Sequence, residues 1–211
     1  MDNGQRTTMF FSFDGIDGAG KSTQVRLFVE ALRGRGCDLV VCRDPGSTQL
    51  GERIRELLLT GDPLTAIGSR SEMLLYMAAR AQLVDEVIRP ALSAGKVVVS
   101  DRYLLANVVY QGHAGGLEPD AIWQVGRMAT EGIQPDHVFV LDIAPQNAET
   151  RFDRPLDRME SRGALYQARV REGFLTEAAR SDGRIHVVDA NRSVEQVHTD
   201  IWRMATEALD F

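Results

Sequence analysis

Gly15-Ile16-Asp17-Gly18-Ala19-Gly20-Lys21-Ser22 constrains this chain more than any other segment. It fits G-x-x-x-x-G-K-[ST], with the apolar run Met9–Asp14 before it. After it comes an apolar-periodic stretch, Ser22 to Arg33, carrying Val25, Leu27, Phe28, Val29, Ala31 and Leu32. A strand entering such a loop and a helix leaving it let successive backbone N–H groups point into one concavity at the positive end of the helix. Phosphate oxygens bind there. Lys21 then reaches the β- and γ-phosphates of a nucleotide, and Ser22 is placed to ligate Mg2+. The alternative is a glycine-rich turn with an incidental lysine, and the flanking patterns argue against it.

Four more segments are near-continuous in Val, Ile, Leu and Phe: Leu39–Arg43, Val97–Asp101, Val138–Ile143 and Ile185–Asp189. Such runs suit strands buried on both faces of a parallel sheet. Helical patterns lie between them, including a long one from Ser69 to Ser93 closed by Gly95. The alternation predicts an α/β fold, a doubly wound sheet with helices on both faces. With 211 residues one such domain fills the chain, and there is no internal repeat or long linker to divide it. Ligands of such sheets bind at the carboxyl ends of the strands. The polar groups Asp14-Gly15, Arg43-Asp44-Pro45-Gly46, Asp101-Arg102-Tyr103 and Asp142 stand there.

A net charge of −6 provides no general basic field for a nucleic-acid backbone, so no nucleic-acid partner is expected. No apolar run is long enough to span a bilayer and the start lacks a signal-peptide pattern, so the expected location is cytoplasmic, with no membrane partner. Cys37 and Cys42 are expected in one strand, too far apart to bridge, as buried thiols.

A phosphate loop serves motors, switches, transporters and kinases alike. The absence of N-K-x-D counts against a guanine-reading switch, and the length excludes a second nucleotide-binding domain. A small-molecule kinase remains. Asp101-Arg102-Tyr103 follows its strand directly, so Arg102 is expected to grip donor and acceptor phosphoryl groups, with Asp101 orienting the Mg2+ hydration shell or holding that arginine. The competing reading is an ordinary ion pair at a strand end. Tyr76 and Arg80 are four apart on a predicted helix, where a ring can stack on a base and a guanidinium can donate to a carbonyl; an aromatic packed in the core beside a solvated arginine is the competing reading there.

Taken in order, Gly15-x4-Gly20-Lys21-Ser22-Thr23, Arg43-Asp44-Pro45-Gly46, Tyr76-x3-Arg80, Asp101-Arg102-Tyr103, Asn107-x2-Tyr110-Gln111-Gly112 and Leu156-Asp157-Arg158-Met159-Glu160 resemble the thymidylate kinase family, over nearly the whole chain. The resemblance implies a P-loop nucleoside-monophosphate-kinase-like three-layer fold with a five-stranded parallel sheet and an arginine-bearing lid at about 151–162. It implies ATP and dTMP as substrates, Mg2+, and a homodimer. The loop residues Gly15, Ile16, Asp17, Gly18, Ala19, Gly20, Lys21, Ser22 and Thr23 would hold ATP, and Ser22 and Asp101 the metal. Asp17 would face the acceptor's 3′-OH, and Arg43 its phosphate, with Asp44 orienting Arg43 or a metal-bound water. Asn107 would bond the pyrimidine edge, Tyr110 would pack beneath the sugar against a 2′-OH, and Tyr76, Arg80 and Gln111 complete the acceptor set. Lys21, Arg102, Asp17, Arg43 and a lid arginine, Arg154 with Arg151 and Arg158 as alternates, would be catalytic. Ser47 and Tyr76 depart from the usual glycine and phenylalanine, and the lid is one residue short beside Pro155.

A phosphate monoester acceptor, with a second pKa near 6, is largely dianionic at neutral pH and needs no general base. His113, His137, His186 and His198 accordingly stand apart from the strand ends that carry the motifs. Two readings compete with a thymidylate kinase: a P-loop nucleotide or nucleoside kinase of other specificity, and a noncatalytic ATP-binding sensor.

Overall fold

Strand β1, Phe10–Gly15, is buried at every residue because it runs up the middle of the sheet. The computed structural model describes residues 8–60, 66–149 and 162–209. Within them lie β2 (Leu39–Arg43), β3 (Val97–Asp101), β4 (His137–Asp142) and β5 (Ile185–Asp189), all parallel, in the order β2-β3-β1-β4-β5. Register sets Phe13 beside Asp101 and Gly15 beside Leu141, so the polar residues that end β1 and β3 arrive at the same level.

Alternation along β1 assigns its two faces. Phe11 and Phe13 meet Phe28 of α1 (Lys21–Gly34) edge-on, with ring centroids 5.1 and 5.4 Å apart, and Phe28 in turn meets Trp202 of α9 (Val194–Leu209). Phe10 faces the other way, edge-on to Tyr103 at 5.0 Å, in a second core with Leu83, Val84, Ile88 and Leu104. The remaining helices are α2 (Gln49–Thr60), α3 (Ser69–Leu83), α4 (Arg89–Ser93), α5 (Leu104–Asn107), α6 (Pro119–Ala129), α7 (Pro145–Glu149) and α8 (Ala164–Ala179). No helix among the described residues is long and apolar enough to cross a membrane.

Three expectations shift. The stretch from Ser69 to Ser93 is helical throughout but widens into a π-helical turn at Val84–Ile88. Pro90 sits just beyond and has no N–H to offer the preceding turn, which explains the local rearrangement. Burial on both faces holds for the central strands only; β2 and β5 are the sheet edges, and Val41 and Val187 are exposed. Cys37 precedes β2 and is half-buried, whereas Cys42 lies in it and is buried, its thiol pushed up to about 12 chiefly by burial.

Candidate active site

The turn from β1 into α1 needs glycine. Gly15 has φ +129°, and a Cβ there would lie 2.5 Å from the Leu141 carbonyl oxygen; Gly18 has φ +78°, and its Cβ would lie 2.6 Å from that of Ala148. With the backbone so wound, Lys21 turns back over its own loop. Its Nζ donates to the carbonyls of Ile16 at 2.8 Å and Gly15 at 3.2 Å, and stands 3.5 Å from Asp17. Burial lowers the Lys21 pKa most, and Arg102 adds repulsion; Asp17, Asp101 and Asp14 oppose both.

Arg102 closes the loop from the β3 side. Its backbone adopts φ +67°, a left-handed conformation disfavoured for arginine, tied down by its N–H to the Phe13 carbonyl at 2.9 Å. The guanidinium donates from Nη1 to Gly15 O at 3.1 Å and from Nη2 to the Asp17 carboxylate, and lies 5.1 Å over the Tyr110 ring. The Tyr110 hydroxyl donates to the other Asp17 oxygen at 3.3 Å. Burial pushes the Asp17 pKa up, yet Arg102 and Lys21 overcome it and hold the carboxyl well below the usual carboxylate range. Asp101 accepts from Ser22 Oγ at 3.2 Å and does not hold Arg102. The pair of hard oxygen donors suits Mg2+, which takes one or two protein ligands and fills its remaining positions with water and phosphate oxygens. No cluster of three or more potential metal-binding side chains occurs among the described residues.

A cavity of about 590 Å3 opens over this loop, lined also by Thr23, Arg43 and Arg55. A second cavity adjoins it, sharing Asp17, Asp44, Arg55 and Arg102, and continues to Tyr76, Arg80, Asn107, Tyr110 and Gln111. Of the residues expected from the sequence, Asp17–Thr23, Arg43, Asp44, Asp101 and Arg102 line the first cavity and Tyr76, Arg80, Asn107, Tyr110 and Gln111 the second, while Gly15 and Ile16 line neither.

The expected pairing of Asp44 with Arg43 is corrected. Cys42 and Asp44 are buried and Arg43 between them is exposed, as alternation at the end of β2 requires. Asp44 Oδ2 instead accepts from Arg80 Nε at 2.5 Å, while Arg43 is held by Glu52 at 2.7 Å. Arg80 is therefore buried in an ion pair rather than solvated. Its Nη1 donates to Asn107 Oδ1 at 3.1 Å, and Asn107 Nδ2 donates to Gln111 Oε1 at 2.6 Å.

Three residues here lay outside the expected set. Arg55 lines both cavities and donates to Pro45 O at 3.1 Å, its pKa lowered by burial and by Arg43. Asp14, fully buried at the end of β1, has neither carboxylate oxygen bonded; burial raises its pKa to about 7 against Arg102 and Lys21. Glu72 accepts from Gln111 Nε2 at 2.9 Å and from Arg162 Nη2 at 2.7 Å. Glu72, Tyr76 and Arg80 recur every four residues on α3, a signal the sequence did contain. The lid arginines Arg151, Arg154 and Arg158 lie outside the described residues.

The glycine-rich loop at the head of β1, the five-stranded parallel sheet and the paired cavities define a P-loop protein of the nucleoside-monophosphate-kinase-like fold. The family model for thymidylate kinase matches residues 13–201. A thymidylate kinase of Symbiobacterium thermophilum is 44% identical, covering 96% of this chain and 94% of the relative, and one of Rhodopirellula baltica is 44% identical over 88% and 75%. The crystal structure of thymidylate kinase from Ehrlichia chaffeensis superposes with a TM-score of 0.74 at 30% identity, covering 94% of this chain and 98% of the other. The chain belongs to the thymidylate kinase family.

Proposed function

We propose that this protein transfers the γ-phosphoryl group of ATP to dTMP, giving ADP and dTDP. The observation that carries the reading is the Asp17–Arg102–Tyr110 cluster standing where the phosphate-loop cavity meets the Arg80–Asn107 cavity. That junction is where a donor and an acceptor phosphate would have to meet.

The loop backbone and Lys21 would hold the ATP β- and γ-phosphates. Arg102, Arg43 and Arg55 around the junction would hold the dTMP phosphate, and Arg102, reaching both, would align them and stabilise the charge that spreads over the transferring group. Because that phosphate is already dianionic, alignment and charge stabilisation suffice. Ser22 and Asp101 would hold Mg2+, which when bound neutralises charge on the phosphates. Asp17, kept ionised, would face the sugar hydroxyl, and Tyr110 the side from which a ribose 2′-OH would project. Arg80, Asn107 and Gln111 would read the pyrimidine edge beside Tyr76. A lid arginine from 151–162, Arg154 by our assignment, would add a further charge.

The same reading takes residues 1–211 as one kinase domain in the cytoplasm, working as a homodimer. Leu50 and Leu57 on α2, Leu74 on α3 and Met128 on α6 are large apolar side chains left exposed, and we take them as candidate contacts with a second copy. Light scattering on the purified protein reads that assembly directly.

The deciding experiment is ADP formation with Mg·ATP and dTMP, dUMP, dCMP, AMP, UMP, thymidine or no acceptor. Turnover strongest with dTMP is expected. ATP binding without turnover on any acceptor would overturn the reading in favour of a sensor, and a different preferred acceptor would reassign the specificity.

A further inference from the structure

Glu72 lies in the first turn of α3 and is only 1% exposed. From it a chain of hydrogen bonds crosses the floor of the acceptor cavity. Gln111 Nε2 donates to Glu72 at 2.9 Å, Asn107 Nδ2 to Gln111 Oε1 at 2.6 Å, Arg80 Nη1 to Asn107 Oδ1 at 3.1 Å, and Arg80 Nε to Asp44 at 2.5 Å. The second oxygen of Glu72 accepts from Arg162 at 2.7 Å, and Arg162 also donates to the Tyr166 hydroxyl at 3.1 Å.

An amide side chain fits most sites either way round, and only its partners decide which end is oxygen. The ends of this chain are chemically unlike. A carboxylate paired with a guanidinium only accepts, and Arg80 only donates. Two amides in series between them can satisfy both ends in a single orientation. Turning Gln111 over would set its carbonyl against the Glu72 carboxylate, and turning Asn107 over would set its NH2 against Arg80. In a buried cavity either reversal leaves polar groups unbonded.

We infer that Glu72 is a positioning residue for specificity: by accepting from Gln111 it fixes the orientation of both amides and so makes the pocket select an oxo- over an amino-pyrimidine. This rests on the acceptor cavity being the pyrimidine site. Asp44 and Asn107 engage Nε and Nη1 of Arg80, which leaves its Nη2 hydrogens to donate to a ring carbonyl. A 4-amino group would bring hydrogens against those donors. Glutamine at 72 can donate as well as accept, so Gln111 and then Asn107 can reverse, and the reversed Asn107 sets its NH2 against Arg80 and so disturbs the donor meant for the ring carbonyl.

Titration calorimetry with dTMP and dCMP on the wild-type protein, Glu72→Gln, Gln111→Met and Arg162→Gln tests this, with steady-state turnover alongside. Glu72→Gln and Gln111→Met break the relay from its two sides. Each is expected to narrow the dTMP-to-dCMP affinity ratio about tenfold, the factor one buried hydrogen bond commands. In turnover Glu72→Gln should raise KM for dTMP more than it lowers kcat. Arg162→Gln removes the ion-pair partner but leaves the relay, and should keep the wild-type ratio. A ratio unchanged in both relay variants overturns the inference, as does equal narrowing by Arg162→Gln. Wild-type protein that binds dTMP with the expected ratios but does not turn it over would sink the kinase reading and leave this one standing. Failure of the wild type to bind dTMP would remove both.

Discussion

Arginine and aspartate build both halves of the site, yet the two halves use them in opposite ways. In the acceptor cavity, proposed to take the base, Glu72, Gln111, Asn107, Arg80 and Asp44 form one directional chain with a carboxylate at each end. At the phosphate loop, charges are crowded and incompletely matched. Lys21 is 7% exposed and repelled by Arg102, Asp14 has neither oxygen bonded, and Arg102 holds a left-handed backbone. A neutral base would be recognised by bonds whose polarity is set in advance, so that half is built as a relay, with Asp44 Oδ1 left unbonded. A phosphate would bring two negative charges, and the half proposed to receive it gathers cationic groups that Asp17 only partly neutralises. Stability should therefore reside on the base side and catalytic power on the phosphate side.

The sharpest test of that division is Lys21→Met. Turnover should fall by roughly a thousandfold or more, because a group aimed at transition-state charge is lost. The thermal midpoint should stay within about two degrees, since a desolvated and repelled charge leaves with it. Unfolding of this variant many degrees earlier would break the comparison.

Arg80→Met should do the reverse. Removing one partner of a buried pair strands Asp44, at a cost of about 3–5 kcal/mol. For a chain of this length that lowers the midpoint by roughly ten degrees, measurable by calorimetry. KM for dTMP should rise far more than kcat falls. A midpoint equal to wild type would show that Asp44 finds another partner.

Asp14→Asn sharpens the phosphate side. The folded carboxyl titrates at about 7 against an ordinary value of 3.8, so the folded state binds more protons between those values. Its contribution to stability is fully present below pH 3.8 and is lost as pH rises through 7. The variant should gain a few degrees over wild type at pH 8 and little at pH 4. Parallel melting curves across that range would refute the assignment.

The smallest effect belongs to Arg26 and Glu30, paired at 2.9 Å on the outer face of α1 with both side chains more than half exposed. Arg26→Ala should change stability by less than about 0.5 kcal/mol in denaturant titrations. A larger loss would mean that exposed pairs matter here as much as the buried ones.

Much of the fold is legible in the chain because its signals are local. Apolar runs of five or six residues lie within a residue of the strands observed, and the glycine spacing places the phosphate loop. Lys21, Ser22, Asp101 and Arg102 share one end of the sheet because strand ends in a parallel sheet do. What the chain did not disclose is pairing. Asp44 adjoins Arg43 in sequence and binds Arg80, 36 residues away, because β2 alternation turns the two neighbours to opposite faces.

The amino-acid order by itself determined the phosphate loop, the parallel sheet and the family motifs, since each depends on short-range spacing and hydrophobic period. The tertiary structure alone decided which carboxylate meets which guanidinium. It buried Asp14 without a hydrogen-bond partner and joined Glu72, Gln111, Asn107 and Arg80, drawn from α3, α5 and the π-helical segment Val108–His113 that follows it, into one relay. The physical reason is that burial strengthens polar interactions and penalises unmatched groups, and burial is a property of the assembled fold.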